Sequence, residues 1–329
     1  MKLKMLNKII TYAASLAVLL VLGAGCNGSK GPPVLVSPDG SVYVGVSEPS
    51  VDEELADEAW RKRLVFHVGP VDLPAGTERM SDRPLAMSFQ TDENIWVTAF
   101  EPRVVDASGA ELPASLIHKA IVSNMHEDNP ICSDSGVGNP AFMATSLLTS
   151  VELPQGYGYP LLATDPLEAQ VVLQNPTEES YSQVFFEITL VARPMNEFAN
   201  LSDVKPMLLE FNPCDHADVD VEPGSFEQIE ASYKAGMPSR VIMVSGAMGD
   251  YGSALSLTAG SEIVPFWSSE AVLGDGHELV GLTENPYVDM QTNLSADDEI
   301  TLGATFDNAK DDWLEGAVAG AMIYVNPEE

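Results

Sequence analysis

The side chains best suited to bind a transition metal in this chain are five histidines, which are widely separated in the sequence. Two imidazoles are presented together without help from the fold when they are adjacent or in H-x-H spacing, and no pair here has either spacing. Met125 beside His126, and Met248 within GAMGDYG (246–252), offer soft sulfur donors, with core packing as the alternative for both. The histidines are His67, His118, His126, His216 and His277.

Other catalytic templates are incomplete. The stretch SDSGVGNP (133–140) holds serine among glycines but lacks the G-x-S-x-G elbow, and it is typical of a loop. Asp275 lies two residues before His277 with no nucleophile to pair with them. The acids of 297–299 offer a general acid and base in principle, but acid runs in so acidic a chain are usually solvated. A G-x-x-x-x-G-K loop for phosphate is absent from the sequence.

The N-terminus has the pattern of an export signal. Three lysines precede an apolar run from Ala13 to Leu22, which is shorter than the roughly 20 residues that span a bilayer. GAGC then resembles a bacterial lipoprotein signal, with residues 1–25 removed and Cys26 lipid-bearing, although Gly23 departs from the usual leucine. The expectation is a lipid-anchored protein of the bacterial cell envelope, at the outer membrane on its periplasmic or surface face. Ordinary cleavage that releases the chain is the alternative.

The charge balance excludes some partners. Removal of residues 1–25 takes three lysines from the 16 Lys and Arg residues and leaves 13 against 49 acids, so the net charge moves from −33 to −36. Such a surface repels nucleic acid and anionic lipid headgroups, so no nucleic-acid partner is expected. The acid cluster SADDE (295–299) leaves calcium binding open as an alternative.

Apart from the lipid-bearing Cys26, the chain left after signal removal has two cysteines, Cys132 and Cys214. Because export leads to an oxidising compartment, we expect them to form a disulfide. Two buried free thiols are the alternative.

The segment before the folded body is composed of a tether and a helix. Residues 26–47 are rich in Gly, Ser and Pro, which predicts a flexible tether. SVDEELADEAWRKRL (50–64) predicts a short helix, because Ser50 and Glu53 have capping-box spacing. Acids in its first turn and the cations of 61–63 in its last complement the helix dipole.

The rest of the chain predicts an all-β fold of two tandem antiparallel β-sandwiches. Val184, Phe186, Ile188 and Leu190 alternate with other residues as in a strand with one buried face, and the series from Ile300 to Phe306 repeats the pattern. Roughly 260 such residues exceed one sandwich of about 100. We therefore expect domains at 48–198 and 199–329, divided within the polar, Pro-bounded stretch 192–206.

Five local features occur in the order found in a known enzyme family. They are VDLPAGTER (71–79), LIHKAIV (116–122), LPQGYGYPL (153–161), VVLQNPT (171–177), and a C-terminal set of GAMGDYG, TFDN (305–308) and YVNP (324–327). Residues 65–327 thus resemble the copper type II, ascorbate-dependent monooxygenases related to peptidylglycine alpha-hydroxylating monooxygenase. The resemblance implies two jelly rolls that face each other across a solvent-filled cleft, each with one copper.

The resemblance also assigns six copper-ligand positions. For the N-terminal copper they are His118, Lys119 and either Gln174 or Asn175, where the family has three histidines. For the C-terminal copper they are Ala247, Gly249 and Ala319, where the family has two histidines and a methionine.

One ligand, His118, is retained. Alanine and glycine offer copper no side-chain donor, and a protonated lysine repels it. No cofactor is therefore expected, with copper as the alternative. The alternative for His118 is a partly buried, hydrogen-bonded histidine on a strand with Leu116, Ala120 and Val122.

The function indicated first is a non-catalytic binding or envelope component that keeps a monooxygenase-like scaffold. Its ligand, a small molecule or a protein, would lie in the inter-domain cleft. A copper- and ascorbate-dependent monooxygenase that hydroxylates a C–H bond is the second interpretation. A calcium-stabilised adhesion or scaffold module is the third.

Overall fold

The computed structural model describes residues 34–36, 42–44, 61–77, 80, 84–132, 138–197, 201–211, 219–249, 251–260, 262–274, 279–289, 291–309 and 311–328. Strands dominate these ranges, and their helical content is one 3-10 turn, Ala114–Leu116. The predicted all-β class is confirmed. The described ranges contain no apolar helix of bilayer-spanning length.

The N-terminal sandwich is built from ten strands in two sheets. Their bounds are β3 (Lys62–Leu73), β4 (Leu85–Phe89), β5 (Ile95–Val105), β6 (Ile117–Asp128), β7 (Gly138–Ala144), β8 (Val151–Glu152), β9 (Tyr157–Leu161), β10 (Leu167–Leu173), β11 (Tyr181–Pro194) and β12 (Ser202–Asp203). One sheet has the order β4-β10-β6-β7 and the other β12-β9-β5-β11-β3, with β8 paired to β5.

The C-terminal sandwich is built from twelve strands. Their bounds are β13 (Lys205–Glu210), β14 (Val219–Val221), β15 (Phe226–Lys234), β16 (Ser239–Met248), β17 (Gly252–Ala259), β18 (Trp267–Leu273), β19 (Leu279–Leu282), β20 (Tyr287–Val288), β21 (Asn293–Leu294), β22 (Glu299–Asp307), β23 (Leu314–Ala317) and β24 (Ala319–Pro327). The two main sheets have the orders β13-β24-β16-β20, with β21 paired to β16, and β15-β22-β17-β18-β19. A separate ribbon pairs β14 with β23.

Both sandwiches have the strand order of a jelly roll. We number the eight principal strands of each half from one to eight, leaving out β8, β12, β14, β19, β21 and β23. One sheet of each half then reads 1-8-3-6 and the other reads 2-7-4-5. The topology is repeated although no repeat is visible in the sequence. The predicted tandem jelly rolls are therefore confirmed, and the sheets divide between β12 and β13. The predicted boundary near residue 198 lies outside the described residues.

The alternating residues of the sequence form the two cores. Val184, Phe186, Ile188 and Leu190 of β11 are buried, as are the alternating residues of β22 from Ile300 to Phe306. Aromatic rings join the sheets of the N-terminal sandwich, where the centroids of Phe100 and Phe142 are 5.1 Å apart.

A short hairpin forms within the predicted tether. β1 (Val34–Val36) pairs antiparallel with β2 (Val42–Val44), and β2 lies against β3 and β4. The sequences VLV and VYV are rich in β-branched residues, which favour strands over a flexible coil. These six residues of the predicted flexible tether therefore form strands.

The prediction that residues 61–63 form the last turn of a helix is wrong. Lys62 and Arg63 belong to β3, where they pair with Ala192 and Val191 of β11. Their charges form ion pairs with Glu93 and Glu101 instead of complementing a helix terminus. The predicted helical residues 50–60 lie outside the described residues.

The two sandwiches meet through packed apolar side chains. Met243, Ala247 and Met322 of the C-terminal half belong to the same apolar cluster as the N-terminal core. Tyr324 Oη donates a hydrogen bond of 3.2 Å to Ala141 O, and burial raises the pKa of Tyr324, which keeps this donor protonated. The resemblance implies a solvent-filled cleft, whereas along this contact packed side chains exclude solvent.

Candidate functional site

A β-bulge in β6 sets the orientation of His118. Val172 of β10 pairs with Lys119, whereas the next residue, Leu173, pairs with Ile117, so His118 is an extra residue on β6. A bulge bends the strand and re-aims the extra side chain. Ile117 stays buried in the sandwich core, while His118 and Lys119 lie outside it and keep a minor part of their surface exposed.

His118 lines a cavity of about 120 Å³ between the two sandwiches. A cavity of this volume has room for several waters or a small ligand, and it is smaller than the roughly 300 Å³ at which drug-sized sites begin. The N-terminal sandwich contributes His118, Gln174 and the loop 145–147. The C-terminal sandwich contributes Met248, Gly249, Leu279, Leu314, Gly316, Ala317 and Val318.

The polar groups of this cavity are held by local hydrogen bonds. Gln174 Nε2 donates to Ser115 O at 3.1 Å, which leaves the amide oxygen as the acceptor of that side chain. Thr145 Oγ1 accepts from the backbone nitrogens of Leu147 and Leu148, at 3.3 and 3.2 Å. These bonds fix the loop that, with His118, forms the polar wall of the cavity.

Lys119, the neighbour of His118, forms an ion pair with Glu210 of the C-terminal sandwich. Both side chains are largely buried, with 16 % and 8 % of their surface exposed. Tyr233 Oη also donates to the carbonyl oxygen of Glu210, and burial together with the Glu210 charge raises the pKa of Tyr233 to about 12. The position that the resemblance assigns to a second imidazole thus links the two sandwiches.

The C-terminal ligand positions do not converge. Ala247 pairs with Gly320 and Met248 with Ala319, so Ala247 and Ala319 lie on opposite faces of the β16–β24 ladder. Ala247 packs in the inter-sandwich cluster and Ala319 in the C-terminal core. A Cβ at Gly249 would lie 3.3 Å from Val318 N, so a larger side chain there meets backbone.

Asn175, the second candidate for the third N-terminal position, has a structural role. It is fully buried. Its Nδ2 donates to Leu73 O, Pro74 O and Glu179 O at 2.7 to 3.0 Å, and its Oδ1 accepts from Thr177. These bonds use the hydrogen-bonding capacity of the amide, so Gln174 is the residue of this pair that reaches the cavity.

The six positions therefore do not fit a pair of copper sites. His118 and Gln174 reach one cavity, Lys119 is neutralised by Glu210, and Ala247 and Ala319 lie in separate apolar clusters. In the part of the chain that the structure describes, no three His, Cys, Asp or Glu side chains are grouped as a metal site requires.

A charged row on the N-terminal sandwich, centred on the buried Glu187, is not predicted by the sequence. Glu187 of β11, with 5 % of its side chain exposed, accepts from His67 Nε2 at 2.9 Å and Arg103 Nε at 2.5 Å. Burial alone would raise the pKa of Glu187, but the bonds from His67 and Arg103 together lower it to about 2. The alternation of β11 predicts Glu187 on a solvent face, yet Thr189 and Val191 of that face are buried too.

The remaining predicted residues are dispersed. His126 Nδ1 lies 3.1 Å from Asp165 Oδ1. In the SADDE cluster, Asp298 Oδ2 accepts from Ser295 N at 2.7 Å and closes its own turn. Cys132 is buried. Cys26, Cys214, His216 and His277 lie outside the described residues, so lipidation and the Cys132–Cys214 disulfide stay predictions.

Comparison with known proteins gives no family. No protein-family model and no curated protein matches the chain. Among solved structures, the major capsid protein P2 from Bacteriophage PM2 is similar at a TM-score of 0.32 and 9% identity, with 81% of this chain and 98% of that chain covered. The STIV MCP is similar at a TM-score of 0.32 and 11% identity, with 80% of this chain and 95% of that chain covered. The ANX1 ectodomain from Arabidopsis thaliana is similar at a TM-score of 0.21 and 11% identity, with 86% of this chain and 97% of that chain covered. Likenesses this weak support no inference about function.

Proposed function

We propose that the chain is an exported, lipid-anchored binding or envelope component that keeps a monooxygenase-like pair of jelly rolls without their copper chemistry. The observation that carries the proposal is the buried Lys119–Glu210 ion pair. A metal ligand must present a lone pair, whereas this ammonium group is held by a carboxylate of the other sandwich. The residue at a ligand position therefore stabilises the assembly of the two sandwiches.

The C-terminal positions support the same proposal. Ala247 and Ala319 fill apolar clusters on opposite faces of one ladder. Selection for packing explains alanine at both sites, because a buried polar imidazole without partners costs free energy. The binding role that remains rests on the cavity beside His118, with its imidazole and the Gln174 amide as polar anchors.

Metal analysis of the purified mature protein after copper loading tests this proposal. We expect copper far below one ion per chain after a desalting step. A ratio near two coppers per chain, kept in the presence of a competing chelator, would refute it. Mass spectrometry of protein from its native membrane tests the anchor, which predicts a diacylglycerol mass on the Cys26 peptide.

A copper- and ascorbate-dependent monooxygenase is the second candidate. The observation that favours it is that His118 and Met248 line the same cavity, and imidazole and thioether are donors suited to Cu(I). Met248 is nearly fully buried and belongs to the C-terminal core, which argues for packing. Copper binding lost in both His118→Ala and Met248→Leu would establish this candidate over the first.

A further inference from the structure

A groove of about 400 Å³ lies on the N-terminal sandwich and shares no described lining residue with the cavity beside His118. Its volume is within the range of small-molecule sites, roughly 300–1,000 Å³. Two arginines, Arg61 and Arg193, line the groove, and Glu152 is the acid among its described lining residues. In a chain with a formal net charge of −33, the groove therefore reverses the prevailing sign of charge locally.

The register of two strands brings the arginines together. Lys62, the first residue of β3, pairs with Ala192 in the antiparallel ladder with β11. Arg61 precedes Lys62 and Arg193 follows Ala192, so the two arginines come opposite each other. Like charges directly opposite on neighbouring strands are destabilising. An anion bound between the two guanidinium groups removes this repulsion.

Glu152 neutralises this pair only weakly. Its Oε1 lies 3.4 Å from Arg61 Nη2, and its side chain is 73% exposed, so the ion pair contributes little to stability. Arg103, on the same sheet, is instead held by Glu187, which is 5% exposed. Arg61 and Arg193 both interact within the protein, but a guanidinium group carries five N–H donors, which leaves donors for a ligand. An incoming carboxylate can therefore displace Glu152.

The rest of the groove offers apolar surface on a fixed loop. Leu153, which is buried, and Tyr157, which is partly buried, line it. Leu153 N donates to Thr98 O at 2.9 Å, and Tyr157 N donates to Pro154 O at 3.1 Å, so the backbone of the loop is held at both residues. A ligand that fills the groove therefore has an apolar body beside its anionic group.

We propose that this groove binds a small organic carboxylate, whose carboxylate group bonds to Arg61 and Arg193 and whose apolar part packs against Leu153 and Tyr157. The planar guanidinium fork matches a carboxylate in geometry as well as charge. The acids of the remaining surface oppose the approach of an anion, but at physiological salt charges more than about 8 Å away are largely screened. The site goes beyond the proposed function and does not depend on what the cavity beside His118 binds.

The probe is 4-fluorobenzoate, titrated with the full mature protein at physiological salt and followed by fluorine NMR. We expect saturable binding. The amide 4-fluorobenzamide has the same ring without the charge, so its affinity should be at least about tenfold lower. Acetate, added as a competitor, should displace the probe only at higher concentration than benzoate does, because acetate lacks the apolar body.

Matched variants locate the site. Arg193→Gln should weaken binding of 4-fluorobenzoate about tenfold or more, because it removes charge-assisted donors. Arg240→Gln makes the same charge change on the C-terminal sandwich, in a pair that is about half exposed, and should leave the affinity within about twofold. Glu152→Gln removes the competing carboxylate and should tighten binding about threefold or more, whereas Glu270→Gln, at an exposed acid of the C-terminal sandwich, should not. Circular dichroism shows which variants fold, and Arg61→Gln replaces Arg193→Gln if the latter does not.

Four results would overturn the proposal. The first is the absence of a saturable shift at millimolar probe. Equal affinity for 4-fluorobenzoate and 4-fluorobenzamide would mean that the groove does not recognise the anionic group. Equal loss in Arg193→Gln and Arg240→Gln would attribute binding to the net charge of the protein. Weaker binding in Glu152→Gln would mean that Glu152 does not compete with the ligand for Arg61.

Discussion

Lys119 of β6 and Glu210 of β13 form a buried ion pair that links the two jelly rolls. Glu210 also accepts, through its carbonyl oxygen, the hydroxyl of Tyr233. His118, the residue next to this pair, lines the cavity between the sandwiches. The same short stretch of β6 therefore determines both the contact between the halves and the polar wall of the candidate site.

Lys119→Ala should destabilise the protein strongly. It leaves Glu210 as an unpaired buried charge, which costs about 3–5 kcal/mol of unfolding free energy. Replacing both residues, Lys119→Met with Glu210→Leu, should recover most of this loss, because the uncompensated charge is removed. Urea unfolding measures both values. The matched control is Lys62→Ala, which breaks the more exposed Lys62–Glu93 pair and should cost at most about 1 kcal/mol. Equal costs for the two lysines would contradict the bridging role.

Acid should destabilise the N-terminal sandwich through Glu187. Its pKa is lowered from 4.5 to about 2 by His67 and Arg103 against the opposing effect of burial. A group with a depressed folded pKa contributes stability above its unfolded pKa, and that stability is lost between about pH 4.5 and pH 2. Glu187→Gln should lower stability at pH 7 by about 1–2 kcal/mol, since solvent screens the half-exposed Arg103, and flatten the acid limb of the stability profile.

The control for Glu187 is Glu101, whose pair with Arg63 is 36% exposed on both sides. Glu101→Gln should change stability by no more than about 1 kcal/mol and leave the acid limb unchanged. Identical pH profiles for Glu187→Gln and the unmodified protein would rule out the pKa-linked contribution.

Restoring histidine at the C-terminal ligand position should not restore a metal site. Ala247 is fully buried among apolar side chains, so Ala247→His should cost about 2 kcal/mol or more through overpacking and desolvation. Ala107→His, in an exposed turn, should be nearly neutral. Thermal melting and copper titration of both variants check this prediction. A gain in copper affinity in Ala247→His alone would show that position 247 can reach a metal.

The predicted disulfide between Cys132 and Cys214 should appear as a mass increase of about two protons on reduction. Because the bond would close a loop of roughly 80 residues, reduction should lower the unfolding free energy by about 4 kcal/mol in the chain-entropy model. Cys132→Ser should match the reduced protein. An unchanged mass on reduction would leave two thiols instead.

The fold was accessible from the sequence because it rests on alternation, which Val184 to Leu190 and Ile300 to Phe306 carry plainly. The ion pairs of Lys62 and Arg63 could not be predicted from the sequence, because three adjacent cations after an acidic run are equally typical of a helix terminus. These two residues form a strand because they pair with β11, which is distant in the sequence.

The candidate site was only partly accessible. The resemblance selected His118 and Gln174, and both reach the cavity. It could not place Ala247 and Ala319 on opposite faces, because that depends on the register of β16 against β24. The bulge at His118 is likewise invisible in local sequence. For Glu187, the apolar Val191 on the supposed solvent face was the available signal of burial.

Electron paramagnetic resonance of the mature protein with added Cu(II) tests the proposed loss of copper chemistry most directly. Because the ligand positions serve packing and inter-sandwich contact, we predict a spectrum of loosely bound copper that a weak chelator removes. Tightly held Cu(II) with hyperfine coupling to several nitrogens, unaffected by the chelator, would contradict the account.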